Sequence, residues 1–397
     1  MKLNVWFSLL LVIVFLSGCA QKNGDVEKFV EDGIEVIVNH AEPYQMLETP
    51  QPVMLEEELA INLEDEEVVQ SGLFRIDTFC ADDEGNIYIL TLRSEQDHIY
   101  KFSPEGKFVT SFGQDGQGPG ELARPIAIIF SPEKELLVTD PDNAKLLYFS
   151  PAGSLLRENV LHSTVTFVYP LPNGNFVAFG RMRPDTEQRN LKYPLELCDE
   201  NMEPLKTLDT FIMENFLFTR RILGTQPGFG LAVGGERIFI GNEARDYEIW
   251  VFNKDGKLVK KIRNVYEPLP VSQEIKDEAL ARYNEQMRQM VFFPENLPPF
   301  RTMTTDEAGN LFILTFEQGE DQNENKIDVF NSEGLFIGRL SAAVFVTMDT
   351  PLNMIVHRGR FYYIRETDTG FKELVVERIV YELSLIHISE PTRLRRI

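Results

Sequence analysis

An apolar strand, a Gly/Asn turn, a β-rich strand, a gap and then a second hairpin recur along this chain roughly every 40 to 50 residues, with insertions. The clearest copy spans Arg75 to Phe112, where RIDTFCADDEGNIYILTLR turns at Gly85-Asn86 and HIYKFSPEGKFVTSF turns at Glu105-Gly106. Glycine suits both places because tight hairpins need positive φ. Further copies begin at Pro125, Thr164, Gly228 and Arg301, and a sixth, from Leu352, supplies three strands and no fourth. Four-stranded units in tandem point to an all-β fold, a six-bladed β-propeller with four-stranded antiparallel blades. A sandwich also has short strands and turns, but it does not explain the recurring aromatic-turn signature.

The incomplete sixth unit needs a partner strand. GIEVIVNH, Gly33 to His40, is β-rich with nothing local to pair with, so this reading makes it the strand that closes the last blade and the propeller 33–382. One segment breaks the rhythm, between the fourth and fifth copies (268–298). There VSQEIKDEALARYNEQMRQMVFF predicts a helix capped by Ser272, with Ile275, Leu280, Tyr283 and Met287 on one face, and PENLPPF ends it. The insertion is expected to act as a packing brace, with a lid over one mouth as the alternative.

The repeats resemble NHL repeats, most closely in GNIYILTLRSEQDHIYKFSPEGKFVTSFG and LLVTDPDNAKLLYFSPAGSLL. The N-terminus, MKLNVWFSLLLVIVFLSGCA, reads as a signal peptide (1–18). Its uncharged run from Val5 to Leu16 is shorter than the roughly 20 residues that span a bilayer. Leu16-Ser17-Gly18-Cys19 resembles the lipobox of bacterial lipoproteins, which implies lipidation at Cys19, a tether over 19–32 and, with Ala20 following, the outer membrane as destination. Taken together, the chain resembles the six-bladed propeller lipoproteins of bacterial envelopes. The tail LSLIHISEPTRLRRI, 383–397, turns abruptly basic and resembles a translated sequencing adapter.

Charge narrows the partners. The formal net charge is −23 and becomes more negative without Lys2 and the basic tail. Such a surface repels phosphate backbones, so nucleic acid is not expected as a partner. The glycine-rich stretch SFGQDGQGPGELARP, Ser111 to Pro125, could suggest a phosphate loop. It leads into a strand rather than a helix and lacks a Lys-Ser/Thr pair, so it is expected to be a crossing between blades. Cys80 and Cys198 sit in apolar strand patterns and read as buried thiols, with a disulfide as the alternative.

No catalytic constellation stands out. The histidines His40, His98, His162 and His357 are scattered, and neither HExxH nor GxSxG occurs. Asp140, Asp142 and Asn143 are candidate ligands for calcium, because hard oxygen donors suit that cation. Gluconolactonase-type propellers build such sites, yet DPDN equally fits a turn in which Asp and Asn bond their own backbone. No cofactor is otherwise expected. Arg181, Arg183, Arg220 and Arg221 are candidates to grip a carboxylate or sugar acid. The expected function is a lipid-anchored, non-catalytic binding module for an envelope protein or a small carbohydrate-like or acidic ligand. The alternatives are a metal-dependent hydrolase or lyase of lactonase type and an outer-membrane assembly scaffold.

Overall fold

The computed structural model describes residues 26–44, 50–161, 165–180, 183–185, 190–319, 321, 323–346 and 353–383. The signal peptide, Cys19, His162, Arg181 and the tail beyond Leu383 lie outside these residues. Six antiparallel blades follow one another in chain order. Blade 1 is Thr78–Ala81, Ile87–Leu90, Asp97–Phe102 and Phe108–Gln114; blade 2 is Ala127–Phe130, Leu136–Asp140, Lys145–Phe149 and Leu155–Val160. Blade 3 is Val165–Pro170, Phe176–Gly180, Asn190–Cys198 and Pro204–Glu214, with a short side strand Arg183–Asp185. Blade 4 is Phe229–Gly234, Arg237–Asn242, Glu248–Asn253 and Leu258–Asn264; blade 5 is Thr302–Thr305, Leu311–Gln318, Asn325–Phe330 and Phe336–Ala342. Blade 6 contributes Met354–His357, Arg360–Glu366 and Lys372–Leu383.

The core lies between blades. The second strand of blade 1 reads Ile-Tyr-Ile-Leu and is buried throughout, because successive side chains point to opposite faces. Ile87 and Ile89 pack against Tyr362, Ile364 and Leu374 of blade 6, whereas Tyr88 and Leu90 pack against Ile128, Val138 and Leu147 of blade 2. Six such clusters, one per interface, form the core of the described residues. Blades covered on both sides need unbroken apolar strands, which is why the repeats show runs rather than alternation.

The N-terminal segment corrects one expectation. The strand that completes blade 6 is not Gly33–His40 but Pro50–Asn62. We number the N-terminal strands β1 (Val26–Glu31), β2 (Ile34–Asn39) and β3 (Pro50–Asn62). β3 runs antiparallel to Lys372–Leu383, from Asn62 opposite Glu373 to Pro50 opposite Leu383. β2 instead lies parallel to the outermost strand of blade 4, with β1 beyond it. Asn39 gives the physical reason. It is fully buried, its amide donates to Gly334 O at 2.9 Å and its carbonyl accepts from Phe336 N–H at 2.9 Å, which fixes β2 in the seam between blades 4 and 5.

β3 looks like acidic linker in sequence because of Glu56-Glu57-Glu58, but blade 6 supplies the counter-charges. Glu58 pairs with Arg360 (2.6 Å), Glu57 with Arg365 (3.1 Å) and Glu56 with Arg378. Exposed pairs of this kind contribute little energy singly; in series they match one register, while buried Ile61 supplies the apolar contact to blade 1.

The helical insertion stands where expected, but as two helices. With α1 at Glu66–Ser71 and α2 at Phe216–Thr219, these are α3 (Gln273–Ala281) and α4 (Glu285–Arg288). Ser272 caps α3 by accepting from Ile275 N–H, and Asn284 starts α4 by accepting from Met287 N–H. A second capping side chain inside the run competes with the helix and divides it. The insertion closes at its base through Leu269 and Leu297 and pairs Val291–Phe292 in parallel with Ile222–Leu223, so it braces two neighbouring crossings.

Two predictions follow from this closure. Ile61→Ala should cost about 2–5 kcal/mol by the cavity it leaves, whereas Val30→Ala on exposed β1 should change stability by no more than about 0.5 kcal/mol in denaturant titrations. Glu377 stands opposite Glu57 across the closing pair, and one of its oxygens is buried without a hydrogen-bond partner among the described residues. Burial, reinforced by the Glu57 charge, pushes its carboxyl up to about 7. A raised carboxyl stabilises the fold while protonated, so stability should fall as pH rises from about 4.5 to about 7. Glu377→Gln should flatten that part of the melting-temperature profile, and an unchanged profile would remove Glu377 from the account.

Candidate functional site

Each innermost strand begins at the end of the ring where blades are joined, so the crossings and the loops between second and third strands share one face. The turns between first and second strands form the other. We call these the crossing face and the hairpin face.

The glycine-rich crossing from blade 1 to blade 2 fills its own anion-binding potential. The Glu121 carboxylate accepts from Gly118 N–H at 2.7 Å, and Glu158 accepts from Gly120 N–H at 2.6 Å. Lys145 donates to Gly118 O at 2.6 Å. The Glu121 side chain occupies the position where a Cβ on Gly116 would stand, which explains the glycine there. Internal carboxylates thus hold the N–H groups that a phosphate would need.

The calcium candidates belong to the same clasp. Asp140 is fully buried and accepts from Ala123 N–H (2.8 Å), Arg124 N–H (3.1 Å) and the Asn143 amide (3.0 Å). Asn143 also donates to Gly116 O at 2.9 Å, and Asp142 pairs with Arg124 at 3.4 Å. The lone pairs that would bind a cation accept N–H donors instead, and the described residues contain no group of three or more His, Cys, Asp or Glu able to hold a metal.

The arginine candidates are spread over neighbouring elements. Arg183, on the side strand of blade 3, lies 3.5 Å from the Glu196 carboxylate. Arg221 pairs with Glu214 at 3.1 Å and stacks 3.9 Å over the Phe292 ring, which ties the crossing to the insertion. Arg220 is exposed at φ 54°. Cys80 and Cys198 are buried free thiols, and burial pushes both up. His98 is fully buried with Nδ1 2.7 Å from Thr91 O, a structural role.

One cavity was not anticipated. It measures about 420 Å³ on the crossing face of blade 1 and is lined by Gly72, Phe74, Arg93, Ser94, Glu95, Gln96 and Tyr100. Gly72 ends α1 in the left-handed region (φ 88°), and its carbonyl accepts from the Tyr100 hydroxyl at 3.2 Å. The chain emerging there leaves Phe74 61% exposed. The opposite wall is fixed through Gln96, whose carbonyl accepts from Asp115 N–H of the glycine crossing at 2.7 Å. An exposed ring thus stands beside a set of charged and amide side chains. In sequence the only signal is the phenylalanine of GLFRID, immediately before the first blade.

A second cavity of about 240 Å³ opens on the hairpin face between blades 6 and 1. Here turns from four blades meet: His357 Nδ1 contacts Glu307, Arg358 lies 3.3 Å from Asp83, and Lys134 lies 2.5 Å from Asp83. Charges that pair so fully across the last seam read as a fastening of the ring.

Residues 62–220 match the model of a family described as a 6-bladed beta-propeller, DUF5128. The chain is a six-bladed β-propeller. Its fold is similar to that of a protein described as exported from Bacteroides fragilis, with 14% identity, a TM-score of 0.50 and coverage of 87% of this chain and 99% of that one. A DUF4221-family member from Bacteroides vulgatus shares 15% identity at TM-score 0.48, covering 84% and 99%. A gluconolactonase from Xanthomonas campestris shares 11% at TM-score 0.41, also covering 84% and 99%. At these identities the likeness concerns the fold alone. No curated protein matches the chain.

The clasp reading makes Asp140 structural. Asp140→Ala should cost about 1–3 kcal/mol by stranding buried donors, and neither calcium nor EDTA should move the melting temperature of the wild-type protein. A calcium-dependent rise lost in the variant would restore the metal reading.

Proposed function

We propose that this propeller is a non-catalytic binding module of the bacterial envelope, tethered through a lipid on Cys19, and that its ligand docks in the crossing-face cavity beside Phe74. The observation that carries this reading is an exposed ring lining a cavity whose other walls include charged and amide side chains. Exposing a large aromatic costs hydrophobic free energy, so a ring held open beside polar side chains suits a ligand with one apolar face. A saccharide has that form: C–H groups on a face and hydroxyls around the edge. Arg93, Glu95, Gln96 and Ser94 supply both donors and acceptors for such an edge. Peripheral loops on a rigid ring can carry such a site without burdening the fold.

Calorimetric titration with a panel of neutral oligosaccharides tests this reading. At least one should bind, and Phe74→Ala should weaken it up to roughly tenfold, as expected for about 0.5–1.5 kcal/mol of aromatic contact, with melting temperature unchanged. Absence of any binder, or a binder indifferent to Phe74, would count against it.

The lipid anchor is tested separately. Two or more acyl chains hold a protein stably at a bilayer. Cys19→Ala should therefore move the protein from the membrane to the soluble fraction; unchanged membrane association would defeat the anchor.

A further inference from the structure

Arg301 immediately precedes the innermost strand of blade 5, on the crossing face. Its main-chain N–H donates to Leu314 O at 2.7 Å, as Asp77 N–H does to Leu90 O in blade 1, so the two residues hold equivalent places. In blade 1 that place is electrically closed: Asp77 pairs with Arg75 at 2.5 Å and accepts from Leu92 N–H at 2.8 Å. In blade 5 it is not.

Among the described residues the Arg301 guanidinium meets only neutral partners. Nη1 donates to Asn325 Oδ1 at 2.7 Å, and the guanidinium carbon lies 5.2 Å from the Phe316 ring centroid. Nε is buried with no hydrogen-bond partner, and no carboxylate among the described residues forms an ion pair with this side chain. Burial pushes its pKa down, Glu278 of α3 opposes that from a distance, and Arg282 of α3 adds a like charge. Glu278 is itself engaged by Arg282 at 2.8 Å.

Withdrawing a guanidinium from water without an anion is costly. A chain of net charge −23 has ample carboxylates to close the gap, so its openness at this place calls for an external anion. Arg301 also keeps part of its surface in contact with solvent. We propose that Arg301 anchors the carboxylate of a ligand that enters between α3 and the crossing face of blade 5. The planar guanidinium matches a carboxylate through two parallel N–H···O bonds, with Phe316 holding its plane and Asn325 fixing its rotation. This site is separate from the Phe74 cavity and does not depend on the saccharide reading.

Succinate is a suitable probe, because it carries carboxylates and no sugar ring. Calorimetry and melting curves in succinate, against sodium chloride at matched ionic strength, should show binding and stabilisation of the full mature protein. Arg301→Lys keeps the charge and the apolar stem and should fold, yet it should lose at least about tenfold in affinity because the fork is gone. Arg301→Gln should abolish binding, and Phe74→Ala should leave it unchanged. The proposal is overturned if succinate does not bind, if Arg301→Lys binds it as well as wild type, if Phe74→Ala removes binding, or if inorganic phosphate binds more tightly than succinate.

Discussion

The pairing of β3 with the last blade decides whether the chain is a ring or an open row of sheets. Apolar faces exist on both sides of every blade, so an open row would leave blade 1 and blade 6 each with one face in water. Closure buries Ile87, Ile89 and Phe102 of blade 1 against Tyr362, Leu374 and Val376 of blade 6, with Ile61 of β3 in the same cluster. The covalent chain cannot join these blades directly, since they lie at opposite ends of the repeat. β3 does so by belonging to the N-terminal half in sequence and to blade 6 in hydrogen bonding. On the hairpin face, the contacts of His357, Arg358 and Lys134 with Glu307 and Asp83 fasten the same seam and its neighbours.

Within that ring, acidic side chains serve as internal ligands. Glu121 and Glu158 take the N–H groups of the glycine crossing, and Asp140 takes those of Ala123 and Arg124. Carboxylates placed this way satisfy donors that would otherwise be stranded at the sharp turns between blades. The high acid content is therefore partly architectural, and the places where polar groups are left open become informative. Two stand out on the crossing face: the cavity lined by Phe74, and the guanidinium of Arg301, which has only neutral partners among the described residues.

Much of the architecture was legible in the sequence, because each blade is a local object. Turn glycines such as Gly85 and Gly106 and strands such as Ile87–Leu90 announce themselves within some 40 residues. Closure was legible only in kind. Gly33–His40 carries the stronger strand signal, yet buried Asn39 binds it to blades 4 and 5, while Glu56 to Glu58 disguise β3 until Arg360, Arg365 and Arg378 are seen opposite. The site was less legible still. Asp140 and Asn143 attract notice as oxygen donors, but their partners are main-chain groups that sequence does not display. Phe74 and Arg301 matter for what fails to surround them, and spacing alone carries no trace of an absent neighbour.

The claim that binding belongs to the crossing face of a closed ring is tested most directly by hydrogen–deuterium exchange, with and without an oligosaccharide that the protein binds. Protection should appear at residues 72–77 and 93–98, with no change at 82–86 and 357–361 across the seam on the hairpin face. Protection confined to the hairpin face, or spread evenly around the ring, would contradict it.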